Sequence, residues 1–481
     1  MSLRLALAVL VSLATGFLLV SLAWPGGRRF GPSGLPKLSL AVGLGLGVSA
    51  EVYFVCLWAG IRSTTGLVLA DLLVLAGLAA ARFRLGSRRA DRPAGSSVSA
   101  AEVPASVWVE RILTIGVALA LIPAAYAFAS AFLNQPHGGW DAWMSWNLRA
   151  RFFFRAGEHW REAFSPLFWG ANPEYPVLLP SAVARLWQLA GRETESAPAL
   201  VAALFTFATI ALACSSLRLL RSRAQGLLAG ILLLGSPLFV QHGTFQMADV
   251  PIGFYFLASI ATLCLGERAP GSRARAFFLT GLAAGFAVWT KNEGTLFLAA
   301  LILAGVVVLA RRGELRASVR GVLAFAGGLV VVLPLAVAAK VSLAPPDIML
   351  SWNRERLHAV VEWGRYAQIL RAFASEAWHL GGFRLPILPV LALSALLLGI
   401  DRQQLRFRST AIALAALSLT LAGYAAVYLT TPQDLAWHLR TSLPRLLLQL
   451  WPSAVFVYFL LLETPEQALA KAPVRSASAR A

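Results

Sequence analysis

"RRGELRASVRGVLAFAGGLVVVLPLAVAAKVSL", residues 311–343, decides the fold class. Its first ten residues hold four arginines, and the next nineteen, through Ala339, hold no charge at all. Wound as a helix at ~1.5 Å per residue, the apolar part is long enough to cross the ~30 Å of hydrocarbon in a bilayer. Inside that layer water cannot satisfy backbone N–H and C=O groups, so a helix is the form such a run takes. The basic segment before it then belongs to one membrane surface.

The same alternation runs from end to end of the chain. Apolar stretches fall at about 4–23, 38–60, 66–81, 112–133, 197–217, 226–241, 250–266, 277–290, 295–310, 321–343, 385–400, 409–429 and 444–463, lengths suited to spans. Of the 481 residues 58% are hydrophobic and 14% charged, and mean hydropathy is +0.68. A soluble chain of this size needs far more charge on its surface. The expectation is an all-α polytopic membrane protein, a transmembrane helix bundle of about 12–13 spans with interfacial helices in its external loops.

The net charge of +19 raises the question of nucleic acid, and its distribution answers it. Seven short segments, "GGRRFGPSGLPK", "RFRLGSRRADR", "RLLRSR", "ERAPGSRAR", "RRGELRASVR", "DRQQLRFR" and "KAPVRSASAR", hold 24 of the 42 Lys and Arg. They occupy every second connection, which is the positive-inside pattern and places them in the cytoplasm. The charge encodes topology, so no nucleic-acid partner is implied. Cys56, Cys214 and Cys264 all fall within apolar spans, so no disulfide framework is expected. The first span lacks a small-residue cleavage site before "WPGGRR" and reads as a retained helix. For its orientation Arg4 argues one way, and Arg28, Arg29 and Lys37 the other; the later loops agree with an external N-terminus. "GSRRADRPAGSSVSAAE" reads as a flexible cytoplasmic linker. The expected organisation is 1–111 as N-terminal helices plus linker, 112–463 as a membrane catalytic domain, and 464–481 as a cytoplasmic tail.

On the opposite face lie two long loops, near 134–196 and 344–384, and short ones near 242–249, 291–294 and 430–443. In "GGWDAWMSWNLRARFFF", residues 138–154, Trp140, Met144, Leu148 and Phe152 recur at i+4 as one apolar stripe. Asn147, Arg151 and Arg155 form a polar stripe beside it, and Asp141, Ser145 and Arg149 a third. The reading is a helix lying in the headgroup layer with its acid at the positive end of the helix dipole. A cap is the plain alternative for Asp141. Two acids inside spans, Glu51 and Asp71, sit near the turn carrying Arg62, and a local ion network among them is expected.

The polar residues of that face come in order: Asp141; Glu174 in "NPEYPVLLP"; His242 and Asp249 in "QHGTFQMADVP"; Lys291 and Glu293 in "WTKNEG"; and His438, Arg440 and Arg445 in "WHLRTSLPRLLLQLWP". Each lies at a span end on one side. Acids that can take a proton thus share a face with cations that can hold an anion. Taken singly, each has an ordinary role: Asp249 before Pro251 as a helix start, Lys291 as a snorkelling side chain, Glu293 as a cap, Arg440 and Arg445 as headgroup anchors.

Between about 112 and 463 the chain resembles the GT-C-fold polyprenyl-phosphate-dependent glycosyltransferases, the family of protein mannosyltransferases, aminoarabinose transferases and rhizobial core transferases. The resemblance rests on Asp141, on "YPVLLP" with Tyr175 and Pro176, on "ADVP" with Asp249 and Pro251, on "TKNEG" with Lys291 and Glu293, and on the closing "R…LPRLLLQLWP" with Arg440 or Arg445. It departs where Trp140 and Ala142 flank Asp141, since many relatives have a second acid there, and at Tyr175, where many have His. The resemblance implies an inverting hexosyl- or pentosyltransferase moving a sugar from a polyprenyl-phosphate donor to a hydroxyl of a glycan, lipid or protein acceptor. Asp141 would be the catalytic base; Lys291, Glu293, Asp249, Glu174, Arg440, Arg445 and His242 would bind substrate. The aromatic layer around Asp141 would raise its proton affinity. A divalent metal, Mg²⁺ or Mn²⁺, on Asp249 and Asp141 is left open as a cofactor. The expected place is the bacterial plasma (inner) membrane with the site on its outer face. A transporter or lipid flippase is the rival, and it should show midplane polar residues, inverted repeats and broken helices. A third reading is a non-catalytic assembly subunit.

Overall fold

The computed structural model describes residues 2–24, 34–90, 107–347, 349 and 354–471. The expected linker from residue 91 onward and the end of the tail lie outside them. Three helices open the chain, α1 (Leu3–Ala23), α2 (Gly34–Trp58) and α3 (Thr64–Ala90), followed by α4 (Val107–Asn134). The first long loop contains a π-helical turn (Ala142–Trp146), α5 (Asn147–Arg155), two 3-10 segments (Gly157–Phe164 and Pro166–Ala171) and α6 (Leu178–Ala190). Next come α7 (Ser196–Leu220), α8 (Arg223–Leu234), α9 (Pro237–Thr244), α10 (Asp249–Glu267), α11 (Arg273–Thr290), α12 (Glu293–Arg311) and α13 (Val319–Ser342). The second long loop holds α14 (Arg354–Val361) and α15 (Trp363–Trp378), and α16 (Ile387–Leu398), α17 (Arg408–Leu429), α18 (Leu435–Leu461) and α19 (Pro465–Lys471) close the chain. Among the described residues there is no strand.

Ten of these helices are long and apolar enough to cross a membrane, and the pair α8 and α9 adds an eleventh if counted as one span. The protein is an all-α, integral, multi-pass membrane protein. Three expected spans take other forms. The run at 226–241 is bent by 66° between α8 and α9, where Pro237 lacks an N–H and Ser236 turns its hydroxyl to the Gly381 carbonyl at 2.7 Å. The run at 385–400 yields only the twelve-residue α16, and α11 opens on two arginines that dilute its hydropathy.

Burial sorts the helices. Every residue in the apolar stretch of α10 is buried, against 6% of that in α4, so α10 is the axis of the bundle and α4 faces lipid. Around α10 pack α7, α11 and α18. Close contact relies on small residues, as in other membrane bundles. A Cβ at Gly253 would stand 3.0 Å from the Gln449 carbonyl oxygen, so a larger residue there would press the α10 and α18 backbones apart by a few tenths of an ångström.

The N-terminal acids pair differently from the expected network. Asp71 binds Arg185 of α6 at 2.7 Å, both side chains buried, and Arg185 also donates to Ser12 at 2.9 Å. Arg62 turns outward to Glu158, with one bond of 3.0 Å. Glu51 makes no ion pair among the described residues. The reason is reach: α6 carries a cation into the bundle beside Asp71, and that buried charge needs the partner more than Arg62 does.

Candidate functional site

Asp249 is the first residue of α10 and is fully buried. Lys291 follows the last residue of α11, and Glu293 opens α12. Three helix ends therefore meet at one level. From α18, Arg445 and Gln449 project one turn apart on the same face, brought over Asp249 by the close approach at Gly253.

The contacts form one connected cluster. Lys291 Nζ lies 3.0 Å from Asp249 Oδ1 and 2.7 Å from Glu293 Oε1. Gln449 Nε2 donates to Asp249 Oδ1 at 2.9 Å, and its own oxygen accepts from Tyr424 at 3.0 Å. Arg445 donates through Nε to Asp249 Oδ2 at 2.9 Å and pairs through Nη1 with Asp141 Oδ2 at 2.6 Å. The cluster is graded in depth: Asp249 is sealed, whereas the Arg445 and Asp141 side chains keep 24% and 27% of their exposure. Asp141 and Arg445 are thus its outward edge.

Burial alone would lower the Lys291 pKa, but the carboxylates of Asp249 and Glu293 outweigh it and raise it. The Tyr175 ring, with its centroid 5.8 Å from Nζ, adds a cation–π contact. Tyr175 is itself pushed up by burial first and the Glu293 charge second.

A second network adjoins the first. Lys340 Nζ donates to the Glu174 carbonyl at 2.6 Å, and Asn292 donates to Asp347 at 2.8 Å. The Glu174 pKa is raised by burial and by the neighbouring Asp347 charge. Arg149, fully buried, donates to the Tyr175 carbonyl at 2.8 Å, and desolvation pulls its pKa down to about 9. Among the residues of the two networks and of the π-turn and α5, several buried polar atoms have no hydrogen-bond partner: Arg149 Nε and Nη2, Asn147 Oδ1, Trp146 Nε1, His242 Nδ1 and Glu293 Oε2. Such orphans are few in folded proteins, and each calls for a partner such as water or a ligand.

The structure brings together Asp141, Asp249, Lys291, Glu293 and Arg445, with His242 Nδ1 at 3.9 Å from Asp249. Glu174 belongs to the neighbouring network. Arg440 is exposed and outside the cluster; five residues before Arg445, it projects from a different face of α18. His438 bonds Thr431 at 2.8 Å and has a local role. Asp141 makes no capping hydrogen bond, since Arg445 takes its carboxylate.

The expected stripes in 138–154 are rotated. Ser145, Trp146, Asn147 and Arg149 are buried, while Trp140 is 64% exposed. The π-turn at 142–146 inserts an extra residue and re-aims everything after it. Gln449 was missed, although an amide alone in "LLLQLW" is costly without a partner, and that was a readable signal. Lys340 and Asp347 gave no such signal, because they come from separate segments.

The donor set does not fit a Mg²⁺- or Mn²⁺-type ion held by Asp249 and Asp141. Both carboxylates face the same guanidinium, and Asp249 Oδ1 is taken by Lys291 and Gln449. Among the described residues no group of three or more His, Cys, Asp or Glu assembles with metal-ligand geometry.

Residues 175–338 match the family model described as Dolichyl-phosphate-mannose-protein mannosyltransferase. The match spans about a third of the chain, and over that segment the chain is similar to this family, which has the GT-C fold. The matched stretch contains Tyr175, His242, Asp249, Lys291 and Glu293, and leaves Asp141 and Arg445 on either side of it. Neither a curated protein nor a solved structure matches the chain.

Proposed function

We propose that this glycosyltransferase moves a sugar from a polyprenyl-phosphate donor to an acceptor hydroxyl at the membrane face opposite the basic loops, with inversion at the sugar. The observation that carries the reading is Arg445 bridging Asp141 and Asp249. Lys291 is held between two carboxylates, so the cation open to a lipid phosphate is the Nη1 edge of Arg445. A phosphate arriving there competes with Asp141 for the guanidinium. Donor binding then frees the Asp141 carboxylate for the acceptor. The acceptor oxygen attacks C1 of the sugar, its proton passes to Asp141, and the bond from C1 to the phosphate oxygen breaks. The polyprenyl phosphate departs with its charge offset by Arg445, for which a guanidinium is well shaped. No step requires a metal.

Over a transporter, support comes from Asp249, Lys291 and Glu293, which stand at helix starts and ends rather than at the midplane, with Arg445 reaching them from within α18. The bent α8 and α9 pair is the one feature a transporter would share. The test uses proteoliposomes given a polyprenyl-phosphate hexose labelled in the sugar. Asp141→Asn should retain the donor yet transfer at least about 10²-fold more slowly, the usual scale for a general base. Transfer close to the wild-type rate in that variant would end the case for Asp141 as base.

A further inference from the structure

At the other end of the bundle a cavity of about 540 Å³ opens among α10, α11, α12, α13 and α17, within the roughly 300–1,000 Å³ common for ligand sites. It is separate from the sugar-transfer site. The eighteen steps of α10 from Asp249 to Glu267, at ~1.5 Å each, put the two about 27 Å apart, close to the full hydrocarbon thickness.

The lining is of two kinds. Leu263, Phe277, Leu301 and Phe325 form an apolar wall, and Ile302 and Val306, 44% and 49% exposed, open it sideways toward the bilayer. The rim carries Arg273, Arg275, Arg320 and Arg408 with one acid, Glu267. Arg408 is committed, at 3.1 Å to Glu267 and also to Glu314. The other three have no carboxylate partner among the described residues. Arg275 gives Nη2 to Ser272 at 2.9 Å, while its Nη1 and the Nε of Arg273 are buried without any partner. Unpaired guanidinium donors beside a laterally open apolar wall suit one kind of molecule, an amphiphile with an anionic head and hydrocarbon tails.

We infer that this cavity is a binding site for an anionic glycerophospholipid of the surrounding bilayer. Its phosphate meets Arg273, Arg275 and Arg320, and an acyl chain enters between Ile302 and Val306. A free phosphate would leave the apolar wall unused, and a zwitterionic lipid would bring a cation to an already cationic rim.

The experiment is native mass spectrometry of the full chain in detergent, titrated with phosphatidylglycerol, with phosphatidylcholine of the same chains, or with inorganic phosphate. The first phosphatidylglycerol should bind at least about tenfold more tightly than phosphatidylcholine, about 1.4 kcal/mol. Replacing all three arginines by glutamine should remove that preference. Val306→Trp, at an exposed position that accepts bulk, should lower phosphatidylglycerol occupancy with the rim intact, so the inference stays testable if the triple variant misfolds. Equal binding of the two lipids, a preference that survives the triple variant, or displacement of phosphatidylglycerol by equimolar inorganic phosphate would overturn it.

Discussion

Removing the Lys291 ammonium should damage the protein more than removing the carboxylate it pairs with. Lys291 Nζ lies 3.0 Å from Asp249 Oδ1, where the attraction is about 5 kcal/mol at an effective dielectric of ~20. Lys291→Met leaves Asp249 and Glu293 close together, with Arg445 shared between Asp249 and Asp141. Breaking a buried pair from one side costs about 3–5 kcal/mol. Asp249→Asn instead leaves Lys291 with Glu293 and Arg445 with Asp141, each cation matched, and costs about 1–3 kcal/mol for the lost hydrogen bonds. The double variant should therefore be no less stable than Lys291→Met alone, a coupling of about 1–3 kcal/mol. Thermal unfolding of the three variants in one detergent and lipid mixture measures it. The raised Lys291 pKa sets the pH window: its contribution is complete below the ordinary 10.5 and is lost only as pH rises through the higher folded value. Additivity to within about 0.5 kcal/mol, or equal damage from Asp249→Asn and Lys291→Met, would refute the cluster as described.

Arg445→Ala should abolish donor use while Arg440→Ala leaves it within about threefold, because the first sits on Asp141 and Asp249 and the second is exposed; donor titrations of transfer rate compare them, and excess chelator in the same assay should leave turnover intact. The Glu174 pKa is raised above its ordinary 4.5, so the folded state holds that proton more tightly than the unfolded one, and stability falls as pH rises from about 4.5 through the folded value. Glu174→Gln should flatten that fall in pH-dependent melting curves. Accessibility tags in 311–320 and in 140–170 should label from opposite sides of the membrane, as the basic-loop pattern requires.

Much of this fold was legible because hydrocarbon imposes a length and a polarity on each span, and both are written in single segments such as 321–343. The exceptions were local. A run like 226–241 is apolar throughout, and nothing in its hydropathy tells a straight helix from one that Pro237 folds back. The site was legible as a set, since Asp141, Asp249, Lys291, Glu293 and Arg445 are charges standing beside apolar runs. Their pairing was not. That Arg445 rather than Arg440 reaches Asp249 follows from the rotation of α18 and the contact at Gly253, which are properties of packing. The π-turn before α5 likewise shifted every later residue by one position, a change no periodicity in the sequence records.

The enclosed position of α10 also bears on how the chain is made. The segments of α10 and α18 are the least apolar of the ten spans, with mean hydropathy of 1.5 and 1.4 against 2.5 for α1, and they carry Asp249 and the Arg445 and Gln449 that hold it. Asp249 emerges from the ribosome 42 residues ahead of Lys291 and 196 ahead of Arg445. At about 5–20 residues per second those intervals are about 2–8 s and 10–40 s. During that time α10 is a weakly apolar helix whose acid lacks the two cations that later hold it, which makes it the costlier segment to leave in lipid. The acid at the head of the finished site is thus made well before either cation that holds it.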